Sequence, residues 1–108
     1  MKFLCLAYGA EKDWQELSDQ QQREFLAEDD ALRQGGALVS AVSQEVTTVT
    51  AWSGSPVTSR ESFAQPGLPL AGFSIIEAAD IREAVKMVSG TPCARAKGAI
   101  EIRALSDQ

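Results

Sequence analysis

Apolar residues recur along the chain with two different spacings, which separate strands from helices. Runs rich in β-branched and aromatic residues predict strands over residues 2–8, 37–43, 46–52, 56–59, 70–77 and 98–105. The turn at 53–55 joins the third and fourth runs and predicts a β-hairpin. Proline and glycine in residues 60–69 predict a loop.

Two segments carry the signals of helix ends. The first is predicted over residues 19–34, because Ser18 is a good N-cap and the glycines at 35 and 36 end the helix. The second begins after Asp80, where Glu83 completes a capping box. Its apolar residues recur at i, i+3, i+4 and i+7, which indicates an amphipathic helix.

The order of these elements is two β-α-β units with the hairpin inserted between them. It predicts one α+β domain over residues 1–108, a ferredoxin-like βαββαβ unit with both helices on one face of an antiparallel sheet. The other face is apolar as well, since Leu4 and Leu6 lie there in the first strand and Phe73 in a later one. Because two helices cannot cover both faces, we expect a homodimer that stacks the two sheets face to face.

Composition narrows the classes of partner. At 108 residues with 44% apolar residues, the chain can bury one core. A net charge of -5 argues against direct binding of nucleic acid, which requires a basic face. No apolar stretch approaches the ~20 residues of a membrane span, and the apolar run at the start is too short for a signal peptide. We therefore expect a soluble, cytoplasmic protein with no membrane partner.

The chain contains no histidine, and its thiols are Cys5 and Cys93. Two free thiols are the expectation outside a secretory context. Without histidine, Ser-His-Asp and Cys-His catalysis are excluded, as is the commonest metal ligand. We expect no metal and no other cofactor, and acid-base chemistry would fall to carboxylates, lysine or tyrosine.

Four segments carry a family resemblance: residues 1–8, the helix exit at 31–39, the strand at 70–77 and the ending at 98–103. Together they resemble the bacterial YCII-related family, in its subgroup named for an Asp-Gly-Pro-Phe-Ala-Glu motif, over nearly the whole chain. The resemblance implies a dimeric α+β barrel, in agreement with the argument from the sheet faces. It also implies regulation, because family members occur beside alternative sigma factors.

The chain departs from that family where chemistry is expected. In place of the motif stands Arg60-Glu61-Ser62-Phe63-Ala64-Gln65, which keeps only the Phe-Ala pair, and Lys97 replaces a histidine or aromatic residue. Family enzymes are linked to a histidine and aspartate pair that acts on small ring compounds. Neither partner is present at the matching positions, so the resemblance implies a protein without that acid-base pair.

Glu28 falls near the middle of the apolar helix stripe defined by Phe25 and Leu32. A carboxylate there would need a partner, water or a shifted pKa, because an unpaired buried charge is costly. One interpretation is a pocket carboxylate that faces Arg60 or Lys97. The other is a slightly rotated helix that leaves Glu28 in solvent.

Four further residues are candidates for ligand binding, and each also has an ordinary interpretation. Arg60 could clamp a carboxylate or be a solvated cation at a sheet edge. Phe63 could stack on a ring or fill the core, and Lys97 could bind an anion or lie in solvent. Tyr8 could donate a hydrogen bond to a ligand or pack in the core or an interface. Apart from these four, Trp14 could cover a cavity or simply be buried.

Three functions remain open from the sequence. The first is a binding or accessory protein for a small organic ligand, with a pocket between sheet and helix. The second is an isomerase or lyase that uses Glu28 as general base, with Arg60 or Lys97 stabilising negative charge. The third is a regulatory partner of an alternative sigma factor, where an acidic surface recruits a basic partner.

Overall fold

A four-stranded antiparallel sheet forms the body of the chain, and the computed structural model describes residues 1–64 and 67–106. In chain order the elements are β1 (Lys2–Tyr8), α1 (Glu11–Gln15), α2 (Asp19–Gln34), β2 (Leu38–Ala41), β3 (Thr48–Thr50), β4 (Val57–Ser59), β5 (Leu70–Glu77), α3 (Ile81–Val88), α4 (Pro92–Arg95) and β6 (Ala99–Ala104). The strand order is β2-β5-β1-β6, and each neighbouring pair is antiparallel. This is the arrangement of a ferredoxin-like βαββαβ unit, so the predicted fold class is confirmed.

The inserted hairpin forms a sheet of its own. β3 and β4 pair with each other in antiparallel register, and they are shorter than the predicted strands. Trp52 lies beyond the end of β3 and is 91% exposed, because this two-stranded ladder has little packed against it. The loop prediction for 60–69 holds in its described part. Gln65 of the altered motif and the proline at 66 lie outside the described residues.

Both predicted helices form where their capping residues place them. In α2 the Ser18 hydroxyl accepts from the Gln21 amide at 3.1 Å, and the Gln21 side chain accepts from the Ser18 amide at 3.0 Å. In α3 the Asp80 carboxylate accepts from the Glu83 amide at 2.9 Å. The return bond to Glu83 comes from the amide of Ala79 at 3.3 Å, rather than from the cap residue itself.

Two short helices were missed by the sequence prediction. α1 replaces part of the polar connection before Ser18, and no side chain caps its start, so no local signal marks it. α4 forms where the sequence predicted a loop after Pro92. Pro92 itself lies in the first turn of this helix, directly after the N-cap residue Thr91. Its four residues are too few to show an apolar period, although proline at the first helical position is a known start signal.

The core lies between α2, α3 and the sheet face that they cover. It is formed by Phe3, Cys5, Leu32, Ile76, Ala78, Ala84 and Val88. On the other face, Leu6 lies opposite Phe73 and Leu4 opposite Ile75, and all four side chains keep intermediate exposure. Both faces of the central strands are therefore apolar, as the sequence predicted. Among the helices of the described ranges, none has the length and apolar character to cross a membrane.

Candidate functional site

A cavity of about 320 Å³ opens between α2, α4 and the sheet. This space is named the α2 cavity. Its apolar lining includes Ala7, Trp14, Leu26, Val39, Val88 and Ile100. Its polar lining includes Cys5, Asp29, Arg33, Ser74, Thr91 and Cys93. Mostly apolar walls with a few converging polar groups are typical of small-molecule sites.

Helix α2 supplies the polar side of the cavity from one stripe of its surface. Leu26, Asp29 and Arg33 stand at i, i+3 and i+7, so they share a face and line the cavity together. Phe25 and Leu32, each one position earlier than a member of that stripe, are buried. One stripe of α2 side chains therefore faces the core, and the adjacent stripe faces the cavity.

Asp29 and Arg33 both line the cavity, but Arg33 is directed to other partners. Its Nη1 donates to the Asp30 carboxylate at 2.8 Å, and its Nε donates to the Val39 carbonyl at 3.4 Å. Asp29 is half-buried, and this burial raises the pKa of its carboxyl above the ordinary value of 3.8. The charge of Arg33 opposes the rise in pKa, and that of Asp30 adds to it. The cavity therefore holds a carboxyl group that is easier to protonate than one in water.

The two cysteines are free thiols, as predicted, and both line the α2 cavity. Burial raises the pKa of Cys93 above 9.0, and the nearby charge of Asp29 raises it further. Burial also raises the pKa of Cys5, against the opposing effect of a hydrogen bond with Ser74. Both groups are therefore neutral thiols at pH 7. Within the described ranges, no three or more acidic or cysteine side chains form a group that could hold a metal ion.

The two helices missed by the sequence prediction help to build the cavity wall. α1 carries Trp14, whose carbonyl accepts a hydrogen bond from the Gln22 side chain of α2 at 2.9 Å. The Thr91 hydroxyl, at the start of α4, donates to the Val88 carbonyl at 2.6 Å. Of the two interpretations of Trp14, the one in which it borders a cavity matches its position, since its half-buried side chain lines this one.

Glu28, the leading candidate from the sequence, lies outside the α2 cavity. Its side chain is exposed and rests against Gly90, where an added Cβ would stand 3.0 Å from the carboxyl carbon. Of the two interpretations, the rotated helix with Glu28 in solvent matches this position. The neighbouring carboxylate, Asp29, is the one that faces the cavity.

The other four candidates lie elsewhere in the fold, and none lines the α2 cavity. Arg60 follows β4 and is exposed, and Phe63 is 77% exposed, so it does not fill the core of this chain. Lys97 is exposed between α4 and β6. Tyr8 is half-buried at the end of β1 and lines a shallow groove on the opposite face of the sheet, near Arg103.

Sequence reasoning missed Asp29 and Cys93 as site residues. The acidic run from Glu28 to Asp30 is visible in the sequence. The apolar stripe alone, however, does not show which of these carboxylates lies on the face of α2 that borders the cavity. The signal that could have found Asp29 is its spacing from Leu26, because a polar residue three positions from an apolar one on a core helix borders the buried face.

The model of the YCII-related domain family matches residues 1–107. Among curated proteins, none matches the chain. A 5-chloro-2-hydroxyhydroquinone dehydrochlorinase from Burkholderia phenoliruptrix, solved in complex with 2,5-dihydroxybenzoquinone, has a similar fold with a TM-score of 0.51. The two proteins share 17% sequence identity over 98% of this chain and 94% of the dehydrochlorinase.

Proposed function

The chain belongs to the YCII-related family, and on that premise we propose that it binds a small organic molecule of one ring in the α2 cavity. The observation that carries the proposal is the cavity itself, in which apolar walls surround the carboxyl of Asp29. A half-buried carboxylate without an internal partner can accept a hydrogen bond from a ligand that carries a donor.

The size of the ligand follows from the volume. Small-molecule pockets span roughly 300–1,000 Å³, and an engineered apolar cavity of roughly 150 Å³ holds benzene. At about 320 Å³, the α2 cavity admits one substituted ring. The dehydrochlorinase of similar fold was solved with a compound of one ring, which supports the same size class for a first set of probes.

We further propose that the protein is a homodimer joined through the sheet face that carries Leu4, Leu6, Phe73 and Ile75. These half-buried apolar side chains form a continuous row across the two central strands. A second copy offers the same row in return, as a two-fold interface requires. In such a dimer the α2 cavity of each subunit lies on the outer side of its sheet and remains open to ligand.

Native mass spectrometry of the purified protein tests both proposals together. We expect a dimer that carries a reproducible extra mass. Ala41→Phe should abolish the extra mass, because Ala41 is exposed at the cavity mouth and the larger side chain fills the space. Ala27→Phe makes the same change on the exposed surface of α2 away from the cavity, and the ligand should be retained.

The binding proposal fails if the wild-type protein carries no extra mass and its melting temperature is unchanged by any compound of one ring. A ligand retained equally by Ala41→Phe would place the binding site elsewhere. A bare monomer at micromolar concentration would contradict the dimer and leave the cavity to be tested by the melting temperature alone.

Proton transfer on the bound ring is a second candidate function, favoured by the raised pKa of Asp29. A carboxyl in a cleft with a raised pKa is a common feature of acid-base sites. Binding remains the first proposal because the other titratable groups of the cavity are a paired guanidinium and two neutral thiols. Turnover of a retained ligand by the wild-type protein, lost in Asp29→Asn, would favour catalysis.

A further inference from the structure

The charged and hydroxyl side chains that line the α2 cavity divide into those with partners inside the described part of the chain and one without. The Thr91 hydroxyl donates to the Val88 carbonyl at 2.6 Å, and the Ser40 hydroxyl donates to the Ala41 carbonyl at 2.8 Å. The Arg33 guanidinium is held by Asp30 and by a backbone carbonyl of β2. Both hydroxyl donors are therefore occupied within the protein, and Arg33 directs its Nη1 and Nε to partners other than Asp29.

Asp29 is the exception among these side chains. It is half-buried on the cavity wall, and it accepts no hydrogen bond and forms no ion pair within the described part of the chain. The adjacent Asp30, in contrast, is more exposed and is paired with Arg33 at 2.8 Å. Of these two carboxylates, the more buried one, Asp29, is therefore available to a ligand, whereas the more exposed one, Asp30, is already paired.

A carboxylate can only accept hydrogen bonds, and a half-buried one is stabilised when a donor reaches it. From this arrangement we infer that the ligand of the α2 cavity is a ring compound that carries a hydrogen-bond donor, a hydroxyl or an amine, directed at Asp29. A ligand with a carboxylate is disfavoured, because its negative charge would meet that of Asp29, while Arg33 is already paired with Asp30. The inference rests on the proposed function and names the chemical class of its ligand.

The inference changes the chemical class suggested by the sequence. A site made of Glu28 with Arg60 or Lys97 would hold a small organic acid, because its cations would clamp a carboxylate. In the α2 cavity, by contrast, the group that faces the ligand is the carboxylate of Asp29, which accepts hydrogen bonds and carries a negative charge. The two views therefore predict opposite rankings for an acidic and a basic ring of the same size.

Four probes of similar size separate these possibilities: phenol, benzylamine, benzoate and toluene. Each is titrated into the full-length wild-type protein, and the dissociation constant is measured by calorimetry or by NMR chemical shifts. We expect phenol and benzylamine to bind about tenfold or more tightly than toluene, since a hydrogen bond to a charged group is among the stronger ones. Benzoate should bind more weakly than toluene.

Variants of α2 then locate the acceptor. Asp29→Asn should weaken benzylamine about tenfold and leave toluene unchanged, because it removes the charge and keeps the shape. Glu28→Gln and Glu24→Gln remove the same charge from exposed positions of the same helix and control for long-range attraction of a cation. Neither control should change the dissociation constant of benzylamine by more than about twofold.

The outcomes separate the inference from the proposed function. If toluene binds and the donor-bearing rings have no advantage, or if benzoate binds best, the inference is wrong and the cavity remains a binding site. If Asp29→Asn weakens benzylamine no more than the two controls do, Asp29 is not the acceptor. If none of the four probes binds, the proposed function fails, because toluene requires only the apolar walls.

Discussion

The guanidinium carbon of Arg95 lies 4.6 Å from the centre of the Phe25 ring, so a cation–π contact joins α4 to α2. Contacts of this kind are worth about 0.5–1 kcal/mol at exposed sites. We expect Arg95→Ala to lower the free energy of unfolding by about 1 kcal/mol, measured by chemical denaturation. It should also weaken ligand binding in the α2 cavity, because α4 places Cys93 on the wall.

Arg82→Ala is the matched control for this contact, since Arg82 is exposed on α3. A surface change of this kind should stay within about 0.5 kcal/mol of the wild-type protein. If Arg95→Ala and Arg82→Ala behave alike in both measurements, the contact between Arg95 and Phe25 does not hold the wall in place.

The carboxyl of Asp29 should make the protein less stable as the pH rises. Burial raises its pKa in the folded chain, so the folded chain binds the proton more tightly than the unfolded chain does. The resulting stabilisation is fully present below about pH 3.8, the ordinary value, and is lost as the pH rises through the raised pKa. Arg33 and Asp30 on α2 and Cys93 on α4 are the charged or titratable groups around it.

Asp29→Asn removes this titration. The free energy of unfolding of the variant, relative to wild type, should therefore increase between acid pH and pH 7. Denaturation curves at several pH values measure the difference, and Glu28→Gln serves as the control for loss of one helix carboxylate. A difference that stays flat with pH, or falls, would contradict the assigned direction of the pKa shift.

Lys97 occupies the left-handed region of backbone space, with a φ of 61°. A side chain in this region costs roughly 1–2 kcal/mol, whereas glycine avoids that cost and loses about 0.4–1 kcal/mol through the entropy of the unfolded chain. We expect Lys97→Gly to raise the free energy of unfolding by up to about 1 kcal/mol and Lys97→Ala to leave it nearly unchanged. Thermal or chemical denaturation distinguishes the two variants.

Ligand binding by the same two variants tests the role that the sequence suggested for Lys97. Both should bind the ligand as the wild-type protein does, because Lys97 is not part of the cavity lining. A loss of affinity shared by both variants would restore Lys97 as an anion-binding residue.

The proposed dimer predicts the effect of a charge on the sheet face. Leu6 lies opposite Phe73 near the middle of that face, so Leu6→Lys should convert the dimer to a monomer, measured by light scattering. Ile81→Lys places the same charge on α3, where Ile81 is 51% exposed, and should leave the dimer intact. Equal masses for the two variants would exclude this face as the interface.

Much of the fold could be predicted because its signals are local. The start of α2 is fixed by hydrogen bonds between Ser18 and Gln21, side chains three positions apart that are visible in the sequence. The sheet followed from the order of strands and helices. α4 was missed because a helix of four residues depends on packing against its neighbours, here Arg95 on Phe25.

The candidate site was less accessible to sequence reasoning because it depends on the rotation of one helix. Successive residues of a helix differ by about 100° in direction, so the rotation of α2 about its axis decides whether Glu28 or Asp29 lies at the cavity wall. The packing of Phe25 and Leu32 fixes that rotation, and their packing partners come from distant strands. Within α2 itself, the spacing of Asp29 from Leu26 carries only part of this information.

The two tryptophans of the chain stand in contrasting surroundings, one on the wall of the α2 cavity and the other almost fully exposed at the hairpin. In optical terms, Trp52 should emit at long wavelength and be readily quenched by iodide, whereas Trp14 should emit at shorter wavelength and resist quenching. Replacing Trp52 by phenylalanine would leave a single fluorophore beside the cavity. The protein would then report the arrival of a ring in its own cavity through the emission of Trp14, without any added label.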